Sequence, residues 1–425
     1  MKKLILTTAL ALLCAMSTWA REWYDFTAVS GTNTLYYRII DANAKTVELQ
    51  SEKNWWYGDT YTTKPTGKLI IPATVSHGGT EYRVVAIGEH AFRYCDELIG
   101  TLTIPNTVTS ISVQAFAYCS GFTGRLILPE SMTNIGHFAF ENCTGFDGQF
   151  VIPANVKEIG GFAFNGCDGL TGVLTIPNSV TVIGDNAFGN CTGFNGPLTI
   201  GNSVTEIGGG AFSGCKGLTG SLVIPNSVTK IGGGAFSSCT GFSGTLTIGN
   251  SVKVIGAGAF GGCSGFTGEL VIPNSVTSLG DRNEFGYLGG DVFAGCSGFT
   301  GSIIIPNSVT EMGAGAFRGC YGFDGSITIS DGITKIEGDA FSDCHSITGT
   351  LTIPKSVTHI GESAFENCGG ISIVKCYATT PPEMGFDVFE YLDTKSLTLY
   401  VPKGSLSAYK DIYTWRDFGN IKEME

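Results

Sequence analysis

An Ala-Phe or Val-Phe pair followed three residues later by cysteine recurs twelve times along this chain. The cysteines are Cys95, Cys119, Cys143, Cys167, Cys191, Cys215, Cys239, Cys263, Cys296, Cys320, Cys344 and Cys368. Ten of the eleven intervals between them are 24 residues, and the interval from Cys263 to Cys296 carries nine more. A fixed period of this size marks a solenoid, in which one structural unit is stacked many times. Each coil touches only its neighbours, so the core grows in one direction and 425 residues need not divide into separate globular domains.

The segment Gly220 to Ser243 serves as the model unit. Leu222 and Ile224 alternate with Val223, the period-2 pattern of a short strand with one face buried. Pro225 ends the strand because it cannot donate to a ladder, and Asn226-Ser227 turns the chain. Val228 and Ile231 point inward from a second short extended segment. Gly232 to Gly234 let the backbone reverse, and Ala235-Phe236 enters a short helical or 3₁₀ turn with Phe236 at the centre of the coil. Cys239 and Phe242 close the core. The fold expected is a β-rich leucine-rich-repeat solenoid of about twelve 24-residue coils, with a parallel strand ladder and non-repeat caps. The core column holds Phe116, Phe140, Phe164, Phe188, Phe212, Phe236 and Phe260, beside Cys119, Cys143, Cys167, Cys191, Cys215 and Cys239.

Lys2 and Lys3, an apolar run from Leu4 to Met16, and Thr18-Trp19-Ala20 together read as a secretion signal over residues 1–20. A lipoprotein reading would use Cys14 instead. The apolar run is too short to span a membrane, and no later segment reaches that length without charge or glycine. Residues 21–66 are read as an aromatic-rich N-terminal β cap, 67–370 as the array with an insert at 281–289, and 371–425 as a C-terminal cap. An open ladder edge invites aggregation, so both ends need such covers. His77-Gly78-Gly79-Thr80 reads as a hairpin turn, Leu397 to Val401 as a strand and Ser405 to Ile412 as a short helix. Between Ile71 and Gly370 the chain carries 11 Lys and Arg against 23 Asp and Glu. An acidic array argues against nucleic acid and anionic membranes as partners.

The unit G-x-L-T-I-P-N-S-V-T-x-I-G-x-x-A-F-x-x-C-x-G-F-T resembles the BspA-like leucine-rich-repeat family, over nearly all of the chain after the signal. Leu399-Tyr400-Val401-Pro402-Lys403-Gly404-Ser405 and Trp415-Arg416-Asp417-Phe418 resemble that family's usual ending. The coil is one residue longer than the commoner family unit. The resemblance implies export by a Bacteroidetes-type bacterium and an adhesin-like role toward host matrix proteins or other cells. It brings no catalytic residues.

No catalytic, metal or cofactor site is expected. His77, His90, His137, His345 and His359 fall on different coils and positions, and no zinc, nucleophile-elbow or phosphate-loop motif occurs. Removing the signal leaves 13 cysteines, an odd number, and stacked side chains point the same way. The cysteines are therefore expected as buried free thiols acting as small hydrophobes, with Cys376, outside the register, as the exposed one.

Three candidate surfaces remain. The outward strand column includes Thr103, Ile127, Val151, Thr175, Thr199, Val223, Thr247, Val271, Ile304, Thr328 and Thr352, an uncharged β-branched ladder suited to a flat protein contact. Its interruptions by Ile and Val set it apart from an ice-binding threonine ladder. The insert offers Arg282, Phe285 and Tyr287, a mix common in protein contacts. Trp55 and Trp56 in the N-terminal cap are the residues a glycan would use. The function expected is a monomeric interaction protein of the cell surface or extracellular space, the periplasm being the alternative compartment. Its partner is an extracellular protein or glycan, and a non-catalytic envelope scaffold is the alternative role.

Overall fold

The computed structural model describes residues 23–53, 60–282 and 286–425. The signal segment, Trp55 and Trp56, and Phe285 of the insert lie outside the described residues. The rest forms a parallel β-solenoid of about 14 turns with a spacing near 24 residues. Equivalent residues of successive coils pair side by side: Ile183 stands in register with Ile159 on one side and Ile207 on the other. One sheet runs from the N-terminal strands through the short x-Ile strands to Glu311–Met312. A second ladder, built from the Leu-x-Ile segments, is divided into shorter sheets, among them Gly148–Gln149, Leu170–Ile176 and Phe194–Ile200.

The interior follows from the period. Leu222, Ile224, Val228, Ile231, Phe236, Cys239 and Phe242 are all buried, and the same positions are buried in coil after coil. The Ala-Phe rings form an unbroken stack from Phe92 to Phe389, with centroids 5.3–5.6 Å apart. A second aromatic position meets this stack edge-on, as in Phe116 and Phe122 at 6.1 Å and 73°. Stacked rings in one column and edge contacts to the next are both favourable quadrupole arrangements.

The corner beneath Phe is built from turns. The Ala-Phe segment, expected as a short helical or 3₁₀ turn, has 3₁₀-type bonds without a continuous helix. Ala187 N–H donates to Gly184 O at 3.2 Å, Gly189 N–H to Asn186 O at 3.0 Å and Cys191 N–H to Phe188 O at 3.2 Å. The alternate amides leave the coil: Asn186, Phe188 and Asn190 donate to Gly209, Ala211 and Ser213 of the next one at 2.7–2.8 Å. Asn186 and Asn190 hold φ of 51° and 57°, and this left-handed backbone aims those amides along the stack. Every amide from 186 to 191 is thereby satisfied.

Glycine is required where coils approach most closely. A methyl group on Gly193 would lie 2.3 Å from the Asp168 carbonyl oxygen of the preceding coil. Such contacts fix the Cys-x-Gly corner more strictly than its conformation does.

At the N-terminal end Phe26–Ser30, Asn33–Asp41 and Thr46–Gln50 form an antiparallel meander whose last strand pairs in parallel with Thr80–Ile87. Thr74–His77 and Thr80–Ile87 form a hairpin around Gly78 and Gly79, both left-handed. At the C-terminal end Thr398–Val401 and then Asn420–Glu423 extend the Leu-x-Ile ladder. Between them lie the helices Leu406–Asp411 and Tyr413–Arg416. Buried Trp415 donates its Nε1–H to Pro382 O at 2.9 Å. Lys422 and Glu423 put exposed charge on the last strand, a device that discourages pairing with another chain.

Candidate binding surfaces

The thiols face inward. All thirteen cysteines of the described residues are free and buried. Each array thiol after the first donates to a phenylalanine carbonyl of the preceding coil. Cys191 Sγ lies 3.0 Å from Phe164 O, and Cys239 Sγ 3.0 Å from Phe212 O. That carbonyl already accepts the amide of its own coil's cysteine, as Phe164 O does from Cys167 N–H at 3.1 Å, so both lone pairs are used. Burial pushes the Cys167 and Cys215 thiols up to about 12. A thiol held neutral, buried and hydrogen-bonded is neither nucleophile nor metal ligand.

Cys376 is the correction. Expected at the surface, it is buried in the strand Ile373–Cys376, where it alternates inward with Val374. The Tyr409 hydroxyl lies 3.1 Å from its sulfur and donates to Ala378 O at 2.7 Å.

The histidines each have a separate local role. His77 stacks on Phe26 at 4.2 Å, and His345 on Tyr321 at 5.4 Å. His137 Nδ1 accepts the Gly161 amide at 2.9 Å. His359 Nδ1 lies 3.8 Å from Glu383. Burial, with the nearby Arg93 charge, lowers His90 to about 4, against a hydrogen bond with Gln114 that raises it. Among the described residues no group of three His, Cys, Asp or Glu side chains is arranged to hold a metal ion.

The Leu-x-Ile ladder presents a flat outward column. Thr175 pairs with Thr199, Val223 with Thr247 and Ile304 with Thr328, each pair in adjacent coils. Thr175, Thr199, Val223 and Thr247 are all exposed. Ile127, Val151, Val223, Val271 and Ile304 of this column are each 55–66% exposed, high values for apolar side chains. The inward neighbours Leu174, Leu198, Leu222 and Leu246 are buried, so the alternation holds the outer residues out.

The x-Ile ladder is different in kind. Some of its outward residues pair by charge and polarity between coils, Lys230 with Glu206 at 3.0 Å and Asn134 with Glu158 at 3.0 Å, while Val182 in the same row is 41% exposed. A neighbouring threonine column bonds backward, as Thr205 Oγ1 does to Thr181 O and Thr229 Oγ1 to Thr205 O, both at 3.1 Å. These side chains have partners within the array.

The insert emerges at the corner after the x-Ile strand Ser278–Leu279. Arg282 and Leu288 form an antiparallel bridge. Arg282 donates to Gly286 O at 2.8 Å and to Glu311 Oε1 at 2.8 Å, and Asp281 Oδ1 accepts the Ala257 amide at 2.9 Å. Tyr287 is 73% exposed. Arg282 is thus tied to the x-Ile ladder through Glu311, whereas Thr175, Thr199, Val223 and Thr247 belong to the Leu-x-Ile ladder. The structure does not bring the two candidate groups together.

One feature escapes the sequence reading. Where most coils carry glycine, asparagine, serine or aspartate at the two left-handed corner positions, the early coils carry Tyr94, Tyr118, Phe138 and Phe162, all at φ 57–63°. Tyr94 stacks on Tyr118 and Phe138 on Phe162, both at 4.8 Å. In the sequence these positions stand out only against the equivalent places of other coils, where small residues such as Asn186, Gly210, Gly166 and Gly214 recur.

A family model described as the BspA type leucine rich repeat region, in six copies, matches residues 80–195, 196–286 and 286–409. Two solved structures are similar over nearly the whole chain. A leucine-rich repeat protein from Bacteroides ovatus is 27% identical, with a TM-score of 0.66, over 95% of this chain and 100% of its own. A leucine rich cell surface protein from Faecalibacterium prausnitzii is 26% identical, with a TM-score of 0.53, over 94% of this chain and 95% of its own. No curated protein matches by sequence.

Proposed function

The chain belongs to the BspA-type leucine-rich-repeat family, and from that premise we propose that it is an exported, non-catalytic interaction protein that binds an extracellular protein in the manner of an adhesin. One observation carries this reading: the Leu-x-Ile ladder holds a straight column of exposed, uncharged β-branched residues, including Val151, Val223 and Val271 at 55%, 56% and 66% exposure. Exposed Ile and Val side chains recurring among threonines in an uncharged column, on an array that is otherwise acidic, favour a contact surface. The rigid coil spacing fixes these side chains before binding, so little conformational entropy opposes association. The x-Ile face offers fewer exposed apolar side chains, Val182 at 41% among them, and several of its polar groups are engaged between coils. The similar structure of a cell surface protein supports a surface location. No helix among the described residues is long and apolar enough to cross a membrane.

The insert is the second contact, reached from another edge of the coil. Its exposed Tyr287 supplies the aromatic element that the flat column lacks. The test is saturation binding of the mature chain to immobilised fibronectin and fibrinogen. Val151→Lys, Val223→Lys and Val271→Lys combined are expected to weaken binding roughly a hundredfold, since each buries a charge at the interface. Deleting residues 281–289 is expected to weaken it roughly tenfold. Saturable binding that ignores the three lysines would sink the assignment of the surface. An absence of saturable binding to either matrix protein would count against the matrix-adhesin role.

A further inference from the structure

The C-terminal cap completes the core of the last coil but not its backbone row. In every preceding coil three alternate corner amides donate along the stack. Ser363, Phe365 and Asn367, for example, donate to Phe386 O, Val388 O and Glu390 O at 2.9–3.0 Å. The equivalent amides of Asp387, Phe389 and Tyr391 have no acceptor among the described residues. Asp387 and Tyr391 keep the left-handed backbone, φ 55° and 63°, that aims such amides along the stack. The x-Ile ladder stops at the same place, with Glu383–Met384 as the outer strand of its sheet. Met384 O is equivalent to the Ile360 O that accepts Gly385 N–H at 2.7 Å, and it receives no donor among the described residues. The cap supplies two contacts here: Trp415 Nε1–H donates to Pro382 O, and Phe418 meets the Phe389 ring edge-on at 5.4 Å. Three donors and one acceptor are left in the places a further coil would use, an open edge that another chain can extend.

The side chains around this row define the partner's chemistry. Phe386, just before the row, and Tyr391, at its end, are 80% and 72% exposed. Neither ring contacts another ring or a cation among the described residues. Glu383, Asp387, Glu390 and Asp393 are exposed, and no Lys or Arg falls between 383 and 394. The exposed Arg416 of the cap lies over Tyr413 instead, at 4.8 Å. A second copy stacked head to tail does not fit, because Ala91 O, an acceptor its first coil would offer, is bonded by the hydroxyl of buried Tyr61. Two copies meeting at this end would set amides against amides and carboxylates against carboxylates.

We propose that this open corner captures a basic, extended segment of another protein, laid on the stack as the edge of one further coil. The segment offers a carbonyl at every second residue to Asp387, Phe389 and Tyr391, as Phe386, Val388 and Glu390 do for the coil before. Its Lys or Arg side chains meet Glu383, Asp387 and Glu390, and its apolar side chains rest on Phe386 and Tyr391. The site goes beyond the contact proposed above. It lies at the end of the stack rather than on the Leu-x-Ile column, so either assignment can fail without the other.

The test is binding of the mature chain, by biolayer interferometry, to three immobilised pools of ten-residue peptides. In each pool Val, Ile, Thr or Tyr alternates with a second residue: Lys or Arg, Ser or Gln, Glu or Asp. Saturable binding to the basic pool is expected, roughly tenfold or more tighter than to the neutral pool and weakened by salt. In hydrogen exchange read by mass spectrometry, residues 386–392 should exchange faster than 362–368 in the free chain and slow when the basic pool is added. The variant Phe386→Ala, Tyr391→Asn places at the left-handed corner the residue that Asn367 already supplies, so it should keep its thermal midpoint while binding roughly tenfold more weakly. Asp387→Asn with Glu390→Gln should weaken binding to a similar degree. No saturable binding to the basic pool overturns the proposal, as does equal binding to all three pools. So does binding that leaves 386–392 unprotected or survives both variants. A dimer seen by light scattering and lost on replacing Phe386 and Tyr391 would make the surface a contact between copies, and overturns it too.

Discussion

At the scale of the residue, the repeated cysteine is a structural donor. Its S–H bonds a phenylalanine carbonyl of the preceding coil, and burial raises its ionisation from 9.0 to about 12 at Cys167 and Cys215. The linkage has a definite sign. Above about pH 9 the unfolded chain sheds thiol protons that the native chain keeps, so stability is intact below that pH and falls as pH rises toward 12. Each such thiol contributes a slope approaching about 1.4 kcal/mol per pH unit once the unfolded form is ionised. Urea midpoints should therefore hold near neutrality and drop steeply in alkali, and a flat alkaline profile would contradict the buried-thiol account. Phe236 is the second residue to test. It is fully buried and stacked at 5.3 Å on both Phe212 and Phe260. Phe236→Ala should cost about 3–5 kcal/mol in a denaturant titration. A neutral result would mean the ring does not fill the coil.

At the scale of the element, two corners make opposite predictions. Gly193→Ala introduces a methyl 2.3 Å from the Asp168 carbonyl oxygen, which backbone must move to accommodate. A loss of about 1–3 kcal/mol is expected from overpacking, read as a lowered thermal midpoint. The insert should be dispensable for folding, because removing residues 281–289 joins Leu279-Gly280 to Gly290-Asp291-Val292-Phe293 and restores the common I-G-x-x-A-F spacing. Its deletion should leave the thermal midpoint within a few degrees. A collapse of the fold would show that Asp281, which accepts the Ala257 amide, holds the corner. The same corners mark the limit of what the sequence makes legible. The period exposes the inward set, because Leu222, Ile224, Phe236 and Cys239 recur at fixed places. The left-handed turns leave no single signature, since Tyr94, Asn142, Gly166 and Ser238 all occupy the same backbone. Cys376 misleads because it falls outside the 24-residue register, although its alternation with Val374 already gives the inward direction. The charge pairing along the x-Ile ladder is equally hidden, because Glu206 and Lys230 meet only once coils are in register.

At the scale of the whole molecule, the stack separates labour among its edges. The interior columns of Phe, Cys, Leu and Ile hold the coils together. The x-Ile face uses its polar side chains to bind one coil to the next, and exposed pairs of that kind set register more than they add stability. The Leu-x-Ile face leaves its β-branched column open, and the insert holds Tyr287 out at 73% exposure. The function proposed for this stack, contact with an extracellular partner, rests on these two presented surfaces. That account requires the array to face the outside of the cell. The most direct measurement is protease shaving of intact cells that produce the protein, followed with an antibody raised against the array. The account predicts that array fragments are released while cytoplasmic and envelope-interior markers stay whole. An array that is protected until the envelope is breached would contradict it, because no extracellular partner could then reach either surface.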